Sequence, residues 1–269
     1  MTKTIFITGA SSGLGKSTAK LFASKGWKVF ATMRNPAKET EFTSVDNITV
    51  IELDVTNAVQ IEDVVAKVLH LSAIDVVFNN AGYGLAGPFE GTTDEQILQQ
   101  INTNLLGVMR VTKAFIPSFR ERGSGLFITT TSIGGLIGLP LNSVYHATKW
   151  GLEGWSESLA FELNPFGIGV KTVSPGGIST DFAGRSLAVA NHPAYENLVN
   201  KVMKVFRDPE RRALHSSPEQ IAEVVYEAAT DGKDTLRYVA GADANQLYNQ
   251  RLEIGPEKFR KNIAHRFLG

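Results

Sequence analysis

The 269-residue chain contains no cysteine. That removes disulfides, thiolate catalysis and every cysteine-ligated zinc or iron–sulfur site, and it suits the reducing interior of a cell, so a cytoplasmic location is expected. Nor is there an excess of either charge, because 27 Lys and Arg balance 27 Asp and Glu. Nucleic acids and anionic membranes select a surplus of basic side chains, so neither partner is expected. No stretch approaches the roughly 18 uninterrupted apolar residues of a membrane span. Near the N-terminus only Ile5-Phe6-Ile7 is apolar before glycines begin, too short for the core of a signal peptide. The five histidines (His70, His146, His192, His215, His265) show neither H-x-x-x-H nor H-E-x-x-H spacing, so no metal site is expected.

What is present alternates. Short β-rich runs begin at Thr4, Lys28, Ile48, Ile74, Leu126, Gly169 and Arg237, with segments of helical period between them. This order predicts an α/β fold: one domain over residues 1–269, a doubly wound parallel sheet of about seven strands with helices on both faces. Two regions break the rhythm. Residues 175–217 mix turn signals with short helical pieces after a strand end, where doubly wound folds place substrate loops and lids. The extension 241–269 carries Phe259, Ile263 and Phe267 at four-residue spacing among Lys258, Arg260, Lys261 and Arg266. Such a stripe either lies on a membrane surface or docks on the body or a neighbouring subunit, and docking is the preferred expectation.

After the first strand comes Thr8-Gly9-Ala10-Ser11-Ser12-Gly13-Leu14-Gly15, opening a helical segment with no acidic residue. Glycines let a backbone approach a pyrophosphate, and the helix start offers unpaired N–H groups and a positive dipole end. Together with Asn80-Ala81-Gly82, Ser132 and Tyr145-His-Ala-Thr-Lys149, this turn resembles the short-chain dehydrogenase/reductase family in its single-domain form, from Thr4 to about residue 240. The resemblance implies a nicotinamide dinucleotide cofactor and a catalytic set of Asn104, Ser132, Tyr145 and Lys149, with Asn104 preferred over Asn102 by the match Asn-Leu-Leu-Gly.

Cofactor contacts are expected from Gly9, Ser11, Ser12, Gly13, Leu14 and Gly15, and from Asn80, Ala81 and Gly82, which the family uses to brace the sheet. Asp54 and Val55 are expected at the adenine, with a turn role for Asp54 as the alternative. Tyr145 and Lys149 are expected at the nicotinamide ribose, and Pro175, Gly176, Ile178 and Thr180 at the nicotinamide. In dinucleotide sites an acid about 20 residues beyond the glycines binds the ribose 2′-hydroxyl. Here residues 1–38 hold seven basic side chains and no acid, and Arg34 follows the second strand, so NADP(H) is expected over NAD(H).

Tyr145 and Lys149 lie four apart, on one helix face. Reducing a carbonyl by hydride leaves an alkoxide needing a proton, which a phenol with a nearby ammonium can donate and, in reverse, accept. Ser132 is expected to hydrogen-bond the substrate oxygen and Asn104, by resemblance, to hold a water that passes protons to bulk. The segments 83–89, 133–140 and 182–195 are largely apolar and predict a small hydrophobic ketone, aldehyde or alcohol as substrate, with Arg185 the one residue that would favour an anionic one. The family resemblance also implies a homodimer or homotetramer. The competing expectation is a catalytically idle dinucleotide-binding protein that senses redox state.

Overall fold

A computed structural model describes residues 2–179 and 186–269. Seven parallel strands form the central sheet: β1 (Thr4–Ile7), β2 (Lys28–Met33), β3 (Ile48–Glu52), β4 (Val76–Asn79), β6 (Gly125–Thr130), β7 (Ile168–Pro175) and β9 (Arg237–Ala240). Their order is β3-β2-β1-β4-β6-β7-β9. All seven sequence-predicted strands are present. Strand side chains alternate between two apolar faces, so Ile5 and Ile7 enter one core while Phe6 enters the other.

On the first face, α1 (Gly13–Ser24) packs with α8 (Pro218–Thr230). Phe22 of α1 meets the rings of Trp27 and Tyr226 at 5.0 and 5.2 Å. The second face is covered by α2 (Ala58–Leu71), α4 (Gly107–Arg122) and α5 (Ser143–Leu163). From β1 the chain winds outward to β3 and returns to β4 on the other side of β1. That reversal opens a crevice at the carboxyl edge between β1 and β4. The glycine turn and Asn80-Ala81-Gly82 both leave the sheet there.

A second, two-stranded parallel sheet escaped the sequence reading: β5 (Gly84–Ala86) pairs with β8 (Leu187–Val189). Three residues are too short to show a period. The excursion after β7 starts and ends at one point, because Ser179 N–H donates to Ser216 O at 2.8 Å and Ser216 N–H to Gly177 O at 3.0 Å. Between these pins lie β8, α6 (Glu196–Phe206) and α7 (Pro209–Ala213). Two helices close the chain, α9 (Ala242–Ile254) and α10 (Pro256–Leu268).

Phe259, Ile263 and Phe267 of α10 are buried in a third cluster with Val202 of α6 and with Ile133, Leu136 and Ile137. The extension therefore docks on the body, and its apolar stripe is not available to a membrane surface. The same packing makes Ile133, Leu136 and Ile137 core residues beneath the site.

Candidate active site

The turn after β1 is built for close backbone approach. A Cβ on Gly15 would stand 2.3 Å from Gly9 O, and one on Gly9 would stand 2.7 Å from Ala81 Cα, with Gly9 at φ +69°. Any side chain at either position would push the turn out of shape. Ser12 is the N-cap of α1 yet makes no side-chain capping bond, and the first turn holds no acid. The first N–H groups of the helix are thus left for an anionic ligand. Leu14 is buried in the core, so it faces the crevice with its backbone alone, whereas Ser11 is exposed and Ser12 half-buried.

Asn80 braces this turn. Its Nδ2 donates to Thr8 O at 3.2 Å and Gly9 O at 3.1 Å, while Thr8 Oγ1 accepts the backbone N–H of Asn80 at 2.9 Å and of Ala81 at 3.0 Å. Across the crevice Arg34 is exposed and makes no hydrogen bond or ion pair among the described residues. Asp54 Oδ1 accepts from Thr56 N at 2.9 Å and Thr56 Oγ1 at 2.7 Å, an Asx turn that leaves Oδ2 open. The buried Val55 packs against Gly107. The residues present therefore fit a phosphate-bearing dinucleotide.

Beyond the crevice, α5 presents Tyr145 and Lys149 on one face, as their spacing implies. Lys149 Nζ lies 5.8 Å from the centroid of the Tyr145 ring and donates to Thr130 O at 2.8 Å. Burial pushes the Lys149 ammonium down to about 8, against the opposing influence of Glu153. Burial pushes the Tyr145 phenol up, and the Ser132 hydroxyl pulls it back. Ser132 Oγ accepts the Gly134 N–H at 3.0 Å, so its single hydrogen is directed to the Tyr145 oxygen or to a ligand oxygen beside it. His146, the next residue on α5, turns away and is buried under the 133–139 segment.

Asn104 sits in a π-helical turn, Asn102–Leu106, between α3 (Asp94–Ile101) and α4. Its carboxamide is engaged at both ends by one residue: Oδ1 accepts the Tyr83 N–H at 3.0 Å and Nδ2 donates to Tyr83 O at 2.8 Å. The structure shows a brace for the segment leading into β5, a role the sequence reading did not assign. Gly87 N–H donates to the O of Leu141, which alone among described non-glycine residues has positive φ, +61°.

Pro175 ends β7, and Gly176 follows it at the same carboxyl edge. Here Asp243, at the start of α9 and unmarked by any sequence motif, accepts the Gly177 N–H at 2.7 Å through Oδ2. Ile178 is half-buried and forms a bridge with Ser216. Thr180, Phe182 and Arg185 lie outside the described residues.

A doubly wound sheet with a glycine-lined crevice and a Ser–Tyr–Lys group at its carboxyl edge defines a nucleotide-binding α/β protein. The family model described as short chain dehydrogenase matches residues 3–189. The 3-ketodihydrosphingosine reductase of Bacteroides thetaiotaomicron is 35% identical over 215 residues, covering 78% of each chain. The crystal structure of a short-chain dehydrogenase from Streptomyces avermitilis superimposes with a TM-score of 0.87 at 32% identity, covering 98% of this chain and 96% of that one. ElxO with NADP bound superimposes with a TM-score of 0.77 at 26% identity, covering 93% and 100%. The chain belongs to the short-chain dehydrogenase family and is an oxidoreductase.

Proposed function

We propose that the protein interconverts a hydrophobic ketone or aldehyde and its alcohol, with NADP(H) as cofactor and Tyr145 as general acid and base. The observation that carries this reading is the Tyr145–Lys149 pair on α5 beside the Ser132 hydroxyl, held at the carboxyl end of β6 by the Lys149 bond to Thr130 O. When bound, the dinucleotide supplies or accepts the hydride.

In reduction, Ser132 donates a hydrogen bond to the carbonyl oxygen, and Tyr145 delivers its phenolic proton as negative charge develops there. In oxidation, Tyr145 must act as a base. Bringing a phenol from its ordinary value of about 10 to near 7 requires roughly 4 kcal/mol of preference for the phenolate, and the burial of Tyr145, which pushes its phenol up, adds to that requirement. Lys149 supplies much of that as an ammonium.

On the binding side, the N–H groups at Gly13, Leu14 and Gly15 face the pyrophosphate, with Ser11 and Ser12 beside them. Arg34 pairs with the 2′-phosphate, and Asp54 Oδ2 and the Val55 backbone meet the adenine. Pro175, Gly176 and Ile178 back the nicotinamide, and Thr180 bonds its carboxamide. The largely apolar sequence of segment 83–89 favours a hydrophobic substrate, and the name of the Bacteroides relative, a reductase of a keto compound, agrees with it. The same reading includes a homodimer or homotetramer, as the family resemblance implies.

The test is loss of dihydronicotinamide absorbance with NADPH and NADH in parallel, against aliphatic and aromatic ketones and aldehydes. Faster turnover with NADPH supports the reading. Tight NADPH binding with no turnover across a broad library would favour an idle binder.

A further inference from the structure

Glu153 lies one helical turn beyond Lys149 on α5 and is only 4% exposed. Its carboxylate is met by four donors: the hydroxyls of Thr131 at 2.5 Å, Ser174 at 2.8 Å and Thr172 at 3.3 Å, and Arg237 Nε at 2.8 Å. The donors come from informative places. Thr131 immediately precedes Ser132, Ser174 immediately precedes Pro175, and Arg237 opens β9, the strand that leads to Asp243. Burying a carboxylate is costly unless its oxygens are this well supplied, and apolar side chains of similar volume hold sheets and helices together without that cost. Adhesion between β6, β7 and α5 thus gives no reason for a charge at this point.

We propose that Glu153 is a positioning residue for the catalytic group: it ties the strand ends bearing Ser132 and Pro175 to the helix bearing Tyr145 and Lys149, and its charge, moderated by Arg237, keeps Lys149 an ammonium. The inference rests on the roles given to Tyr145 and Lys149 above. Glu153 is the charge that opposes the effect of burial on Lys149. The other titratable groups facing the cluster are Tyr145 on the same helix, Glu157, which shares Arg237 at 3.4 Å, and Tyr248 of α9, which acts on Arg237.

The proposal is tested on the cofactor-free protein by a carbon-13 NMR titration of the lysine side chains, with the Lys149 resonance assigned by its loss in Lys149→Met. Glu153→Gln keeps the shape and removes the charge, so the Lys149 midpoint falls by about one pH unit. Arg237→Gln leaves the Glu153 charge unopposed, so the midpoint rises. Arg237 is a quarter exposed on an edge strand, which keeps the second arm readable if Glu153→Gln fails to fold. Opposite displacements, or the rise alone where only Arg237→Gln folds, support the proposal. Unmoved midpoints, or displacements of the same sign, overturn it. The alkaline limb of kcat is expected to follow the Lys149 midpoint. If the midpoints separate and that limb stays put, the general acid and base reading of Tyr145 fails while the inference about Glu153 stands.

Discussion

Five of the seven basic side chains before position 39 are occupied within the fold. Lys16 pairs with Glu39 at 2.8 Å and with Glu41 at 2.7 Å, Lys20 also pairs with Glu41, and Lys3, Lys25 and Lys28 lie over the rings of Trp27, Tyr226 and Phe30. Among the described residues, Arg34 and Lys38 are left unpaired, and Arg34 alone directly follows the end of β2. A charge-assisted, paired contact from a guanidinium to a phosphate contributes about 1.5–3 kcal/mol. Arg34→Ala is therefore expected to raise KM for NADPH by roughly 10- to 100-fold and to change KM for NADH little, as steady-state kinetics with both cofactors will show. Asp243 makes a different prediction. Removing its bond to the Gly177 N–H in Asp243→Ala loosens the turn that backs the nicotinamide. Affinity for NADPH should fall several-fold while affinity for 2′,5′-ADP, which lacks the nicotinamide half, stays constant. Asp243→Asn, which retains an acceptor oxygen, should fall between the two. Calorimetry with both ligands checks the split.

Among the elements, α5 combines the most tasks. Its Tyr145–Lys149 face reaches the carboxyl end of β6 through the Lys149 bond to Thr130 O, and on an adjacent face His146 is buried, with Nδ1 accepting the Leu139 N–H at 3.4 Å. Burial pushes His146 down to about 4. Below its ordinary value of about 6.5 the unfolded chain takes up a proton that the folded chain refuses until about pH 4. This contribution to stability is therefore complete above pH 6.5 and is lost progressively as the pH falls from 6.5 to 4. Thermal melting across that range should fall more steeply for the wild type than for His146→Gln. The strands, the glycine turn and the Tyr145–Lys149 pair were legible because each rests on local period or spacing. Nothing local marks Asp243 or Arg237 as a neighbour of residues more than sixty positions away. Glu153 carried a faint signal, an acid one turn past Lys149, but its burial depends on where β6 and β7 place Thr131 and Ser174. Asn104 was found by its motif, yet its grip on Tyr83 depends on the π-helical turn, which local propensity does not encode.

At the scale of the molecule, zero net charge conceals a buried ion pair between Lys171 and Asp231. Lys171 of β7 donates to Asp231 at 2.7 Å, to Ala228 O at 2.8 Å and to Tyr238 Oη at 3.1 Å, fastening the end of α8 to the β7–β9 edge. Against burial, which acts upward, the bonds from Lys171, the Tyr238 hydroxyl and the Lys233 N–H hold Asp231 down at about 2. Its contribution is present above the ordinary carboxylate range near 4 and is lost as the pH falls from about 4 toward 2. Acid unfolding should accordingly begin at higher pH in Asp231→Asn, read by circular dichroism. The most direct measurement of the central claim is a paired assay of Tyr145→Phe and wild type, NADPH binding by fluorescence beside turnover of any carbonyl the wild type reduces. Binding within about twofold of wild type with turnover reduced at least 100-fold is the expected result, since a general acid contributes about 10²–10⁴-fold. Turnover in Tyr145→Phe equal to wild type would contradict the role given to the phenol, and with it the reading of this site.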